Sequence, residues 1–276
     1  MDPCGRSQRR PHRLPQELTE PAPSFGATGI EREPGRDGRG RPQRPRWGSF
    51  YQPGGFDPAA FAAEPSGTSA ITASSAAATL VQQIRGIGGG EPCVVVAHSM
   101  GGVVATAAAE LEPSLFDHLV YVSAFAPVLG AAAEYSAGPE NQGETYSSLL
   151  AADPLAVGAA RFDTGNRSLH TAIRETFYGD VDEATADAAI SLLTPDGPIG
   201  IPAEAFAVTA DRFGTIPHSY VVCTKDNAIP VALQRRFVNE IDAVSTTPTT
   251  VTELDSSHSP FLSQPAALAT IIAGTC

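Results

Sequence analysis

Residues 93–102 read Cys93-Val94-Val95-Val96-Ala97-His98-Ser99-Met100-Gly101-Gly102, and their order decides the fold. The run 93–96 is short, continuously apolar and β-branched, as in a strand buried on both faces of a parallel sheet. Downstream, Val103-Val104-Ala105-Thr106-Ala107-Ala108-Ala109-Glu110-Leu111 reads as a buried, Ala-rich helix. A sharp reversal between them strains the serine backbone and lifts its hydroxyl off the sheet. Such a turn asks for small residues two before and two after the serine. Ala97 and Gly101 fit, with Ala97 in place of the more usual glycine. Ser99 is therefore the candidate nucleophile.

A serine nucleophile needs a base to take its proton and an acid to hold that base in the right tautomer. Residues 218–224 read as a strand, followed by Lys225-Asp226-Asn227-Ala228-Ile229-Pro230 as a turn into a helix. Asp226 thus stands at a strand's carboxyl end, where open α/β sheets gather functional groups. Its alternative is a simple turn or cap residue. Residues 249–254 read as the last strand, and the loop Asp255-Ser256-Ser257-His258-Ser259-Pro260 after it offers His258 as the base. Asp255 is the rival acid, but its place in the same loop suits a brace better. His98, in the turn itself, is expected to line a pocket. His12, His118, His170 and His218 have no partner pattern and are expected to be structural or solvated.

Four strings, in this order, carry a family resemblance: Ala-His-Ser-Met-Gly-Gly at 97–102, Asp211-Arg212-Phe213-Gly214, Val222-Cys223-Thr224-Lys225-Asp226-Asn227-Ala228-Ile229-Pro230, and Asp255-Ser256-Ser257-His258. They resemble the α/β-hydrolase branch containing plant methylesterases, hydroxynitrile lyases and bacterial esterase relatives. The resemblance covers roughly residues 57–276 and implies an α/β fold with a mostly parallel sheet. It puts Ser99, Asp226 and His258 at the family's triad positions. It also implies a helical lid at about 126–213, inserted after the strand 119–123, with Phe177-Tyr178-Gly179-Asp180 similar to the family's lid segment. Apolar spacing agrees, predicting helices over 146–152, 169–177, 183–193 and 203–210, with turns such as Asp196-Gly197-Pro198 between them. A lid of this kind encloses a mostly apolar pocket. Phe125, Leu129, Tyr146, Phe177, Leu193 and Phe206 are its candidate lining residues, more of them expected in the lid core than against a ligand. The branch's lyases carry a lysine after the base to hold an anionic leaving group. Ser259 stands there in this chain, which favours hydrolysis. An aspartate at position 99, the mark of epoxide hydrolases and dehalogenases, is absent.

The function expected is a serine hydrolase cleaving a small or medium carboxylic ester through an acyl-enzyme on Ser99, with the Met100 backbone N–H as one oxyanion donor. The second donor of this fold comes from a loop after an early strand, commonly beginning His-Gly, and a later loop usually reads Asp-x-x-Gly-x-Gly. Neither string is present. Residues 1–56 contain no apolar run of four and hold ten of the chain's arginines, with a net charge of +4 against −16 for the remaining 220 residues. That Arg/Pro-rich composition does not build a sheet, so 1–56 is expected to be a disordered or mis-framed segment. An incorrect start or reading frame is favoured over a natural truncation or an unusual donor loop around Trp47-Gly48-Ser49-Phe50-Tyr51. Without early strands, the Ser99 strand is expected to expose an apolar edge. Two alternatives follow: a thioesterase in secondary metabolism, and a catalytically weak or dead pseudo-hydrolase that binds a ligand in the pocket.

The 276 residues suffice for one α/β domain plus a lid. No apolar run of 18 residues occurs, and Arg9-Arg10 is followed by no apolar stretch, so a cytoplasmic location away from membranes is expected. The basic arm lacks the aromatic interleaving of a nucleic-acid binder. Cys4, Cys93, Cys223 and Cys276 are scattered and read as free thiols, without a disulfide framework or metal site. Ile87-Gly88-Gly89-Gly90 lacks the lysine of a phosphate loop and reads as a helix-ending linker. No cofactor is expected, and the partner expected is a small-molecule ester or thioester.

Overall fold

Four parallel strands organise the described residues, 51–52 and 55–275 of a computed structural model. They are Cys93–Ser99, Phe116–Ala124, His218–Cys223 and Thr250–Leu254. The last strand pairs with His218–Cys223, that strand with Phe116–Ala124, and Phe116–Ala124 with Cys93–Ser99, every pairing parallel. Among the described residues the Ser99 strand therefore lies at the sheet's edge, and Val96 on it is 44% exposed. The two inner strands are almost wholly buried. The expectations for residues 1–50, including the loop around Trp47, lie outside the described residues, as do Cys4, His12 and Cys276. Tyr51–Gln52 and Gly55–Phe56 pair antiparallel as a separate two-stranded unit.

The inner strands feed two cores by simple alternation. Leu119, Tyr121, Tyr220 and Val222 face one side, with Val81 and Ile84 of helix Ala73–Gly88, Val103 of Gly101–Leu111, and Leu233, Phe237 and Ile241 of Val231–Val244. Val120, Val122, Val221 and Leu254 face the other side, against Leu268 of helix Pro265–Ala273. Adjacent residues thus enter opposite cores, as the two-residue period of a pleated strand demands. Each such buried Leu, Ile, Val or Phe contributes roughly 1.5–3 kcal/mol of transfer free energy. The glycine run ends the first of these helices as expected, since Gly89 takes the left-handed cap with φ +62°.

Residues 125–217 lie between the second and third strands. Helices His170–Phe177 and Glu183–Leu192 appear where the spacing predicts them, while 146–152 contracts to the 3-10 turn Tyr146–Leu149. The predicted helix over 203–210 does not form. A short helix, Gly200–Ala203, ends there, and Ala205–Ala207 pairs antiparallel with Leu129–Ala131. Over so few residues, apolar spacing does not separate helix from strand, and the available pairing partner decides. Asp196–Pro198, expected as a turn, likewise pairs with Ala159–Arg161. Its carboxylate grips the fully buried Arg161 through Nε–Oδ1 and Nη2–Oδ2 contacts of 2.6 and 2.7 Å. Arg161 Nη1 also donates to the carbonyls of Phe61 and Glu64, tying helix Pro58–Ala63 to the insert. Cys93 and Cys223 are free thiols. Among the described residues no helix is long and apolar enough to cross a membrane, and no cluster of His, Cys, Asp and Glu could hold a metal ion.

Candidate active site

Ser99 closes its strand with φ +54°, a conformation that L residues rarely adopt, and helix Gly101–Leu111 begins two residues later. The strand-to-helix reversal forces this value, and Met100, already at φ −63°, stands at the helix start. The Met100 amide is among the first of that helix and has no partner within it. The steric demand falls on Gly102 more than on Gly101. A Cβ on Gly102 would meet Phe125 O at 2.2 Å, whereas one on Gly101 would meet nothing within 4 Å.

Asp226 and His258 come from the ends of neighbouring parallel strands. Thr224 N donates to Leu254 O and Lys225 N to Ser256 O, so the loops after the two strands leave side by side. His258 Nδ1 lies 2.8 Å from Asp226 Oδ2, with both side chains buried. The other carboxylate oxygen, Oδ1, accepts from the amides of Ala228 and Ile229 at 2.7 and 2.9 Å. Asp226 is therefore also the turn residue that its sequence context suggested. Gln234, wholly buried, braces that turn by bonding Cys223 N, Cys223 O and Ile229 O. Burial opposes ionisation of Asp226, but the charge of His258 and the surrounding donors outweigh it and hold the carboxyl below its ordinary value. Asp255, the rival acid, is exposed and paired with Lys225 at 2.8 Å.

The other candidates divide into two groups. Phe177 lies with its ring 5.6 Å from the His258 ring and 6.2 Å from Tyr146. Phe162, which no sequence signal singled out, completes this aromatic group at 5.1 Å from Tyr146. Phe125 packs on Phe237 in the main core, and Phe206 is half-buried against the same core. Leu129 and Leu193 reach the surface. His98 turns toward the base loop, its ring 4.5 Å from that of His258 and its Nε2 2.7 Å from His258 O. Among the described residues no hydrogen bond joins the Ser99 hydroxyl to the His258 ring, whose Nδ1 faces Asp226 and Ser123. Ser257, next to His258, donates to Asp180 of the Phe177-Tyr178-Gly179-Asp180 string, so the insert touches the base loop directly.

Comparison with known proteins agrees with this architecture. A model described as "Alpha/beta hydrolase family" matches residues 34–271, beginning within the Arg/Pro-rich segment. The chain is 26% identical over 191 residues to "Methylesterase 7" of Arabidopsis thaliana, covering 65% of this chain and 67% of that one. It is 28% identical over 184 residues to "Pyrethroid hydrolase" of Sphingobium wenxiniae, covering 65% and 62%. Among solved structures, an extracellular alpha/beta-hydrolase from a Paenibacillus species superposes with a TM-score of 0.56 at 20% identity, over 75% of this chain and 80% of that one. Since the family model spans most of its length, this chain belongs to the alpha/beta hydrolase family.

Proposed function

We propose that the protein is a carboxylic-ester hydrolase that works through an acyl-enzyme on Ser99. The observations that carry this reading are the buried 2.8 Å pair of His258 Nδ1 and Asp226 Oδ2 and a serine held at φ +54° at the end of a strand of the same sheet. In this reading His258 Nε2 takes the Ser99 proton as Oγ attacks the ester carbonyl, and the Met100 N–H stabilises the oxyanion. Collapse expels the alcohol, which receives the proton from His258. Water, deprotonated by the same base, then releases the acid and frees Ser99. The names of the methylesterase and pyrethroid hydrolase relatives support ester substrates.

Residues 57–276 are the proposed catalytic unit, with 126–213 as its lid. Tyr146, Phe162 and Phe177 offer an aromatic wall suited to an apolar part of the substrate. Ser259 is buried and neutral, and the chain's single lysine, Lys225, is engaged with Asp255, which favours hydrolysis over release of an anionic leaving group. The test is release of an aryl alcohol from short-chain aryl esters and thioesters, with Ser99→Ala as control. A Ser99-dependent rate is expected. Equal rates in both proteins would defeat the reading and leave a ligand-binding pocket.

A further inference from the structure

The sheet contains a second serine with a left-handed backbone. In the pairing of Phe116–Ala124 with Cys93–Ser99, Val122 lies opposite His98 and Ala124 opposite Ser99, so Ser123 is an extra residue with no partner. It has φ +39° and is completely buried. A bulge of this kind interrupts the strand's alternation and re-aims one side chain. Strict alternation would put Ser123 on the face of Leu119 and Tyr121, in the helix-covered core. Instead its hydroxyl donates to Asp226 Oδ2 and lies 3.4 Å from His258 Nδ1.

The carboxylate is thereby saturated. Oδ1 holds two backbone amides, and Oδ2 holds the Ser123 hydroxyl together with the His258 ring N–H. We infer that Ser123 is a positioning residue for the reaction: its hydroxyl locks the Asp226 carboxylate in rotation and, by sharing Oδ2, moderates how strongly that oxygen holds the protonated base. This inference rests on the ester-hydrolase reading. A free carboxylate could turn about its Cβ–Cγ bond and carry the imidazole with it, and displacements of this order at a reacting group cost up to about a hundredfold in rate. A carboxylate with one donor fewer concentrates its charge on the imidazolium and keeps the base protonated to higher pH.

The other groups around the pair do not complicate a pH profile. His98, on the Ser99 strand, is pushed down to about 3 by burial and by His258. On the Asp226 strand, burial pushes the Cys223 thiol up to about 12 and Tyr220 well above its ordinary value. From the insert, Asp180 is held below its usual range by bonds from Ser257 and Ser263 that overcome its partial burial. All keep one charge state between about pH 5 and 9.

The decisive variant is Ser123→Gly, because glycine adopts φ +39° freely and preserves the bulge while removing the hydroxyl. Its melting temperature is expected to stay at or above that of the parent. Its kcat/KM is expected to fall about 10- to 100-fold, with the acidic limb of the pH profile moved to higher pH. The low-field proton resonance of His258 Nδ1–H, assigned by its loss in His258→Ala, is expected to move further downfield. Ser123→Cys, close in size but a weak donor, is expected to fall between the two. Parent-like rates, acidic limb and resonance in both variants would overturn the inference. If the parent shows no Ser99-dependent hydrolysis, the ester-hydrolase reading fails by itself, and the proton resonance still decides whether Ser123 acts on the pair.

Discussion

His98 Nε2 lies 2.7 Å from the carbonyl oxygen of His258, so the residue before the candidate nucleophile holds the backbone of the candidate base. A carbonyl only accepts, which puts the proton of His98 on Nε2. Burial and the neighbouring His258 push His98 down to about 3, so it remains a neutral donor across the working pH range. His98→Phe keeps the ring but removes the donor. Its kcat is expected to fall about tenfold or more with KM little changed, and His98→Gln to recover part of the loss. Steady-state kinetics on an aryl ester check this, and an unaltered kcat in His98→Phe refutes it.

Asp226→Asn keeps an oxygen for the amides of Ala228 and Ile229 but turns an NH2 group toward His258. The imidazole then adopts the wrong tautomer. The expected loss in kcat is about 10⁴-fold, with near-parent circular dichroism and melting temperature. A loss under tenfold would mean that another carboxylate orients the base.

Gly102 and Gly101 separate packing from turn geometry. A methyl group at Gly102 would lie 2.2 Å from Phe125 O, in the backbone just after the neighbouring strand, whereas Gly101 has open space. Gly102→Ala is expected to destabilise by about 1–3 kcal/mol or more, and Gly101→Ala to stay within about 0.5 kcal/mol of the parent. Urea unfolding of both variants is the check, and equal destabilisation would contradict the geometry.

Part of the acid sensitivity should trace to His218. Burial pushes it down to about 4, with His118 acting in the same direction and Asp242 against it. Between about pH 6.5 and 4 the unfolded chain holds a proton that the folded one lacks. The stability due to neutral His218 is therefore complete above about 6.5 and is lost as pH falls toward 4. Among the described residues His218 Nε2 has no partner, Nδ1 has only a 3.3 Å contact with Ser245 Oγ, and the ring lies against Phe213 and Tyr121, so phenylalanine should fit. His218→Phe is expected to retain on the order of 2 kcal/mol more stability than the parent on going from pH 7 to 4.5. Parallel losses in parent and variant would exclude His218.

The site was legible wherever chemistry and a secondary-structure boundary coincide. Ser99 sits between an apolar run and a helix, and Asp226 and His258 follow separate strands, so local pattern alone singled out all three as candidates. Phe125, Leu129, Leu193 and Phe206 show the opposite case. Apolar character marks a residue for burial or for a pocket alike, and only packing sorted two of them into or against the core and two to the surface. Ser123 carried no sequence signal, because its direction depends on a bulge that exists only when two strands pair.

By itself the sequence determined the parallel strand set and the strained Ser99 turn, and it singled out Ser99, Asp226 and His258 as candidates, because each of these rests on patterns within a few residues. Tertiary structure decided that Asp226 and His258 meet at 2.8 Å, that His98 grips the base loop, that Ala205–Ala207 is a strand, and that Ser123 points at Asp226. Those outcomes join residues far apart in the chain, and a contact of that kind depends on register and packing, which no local pattern contains.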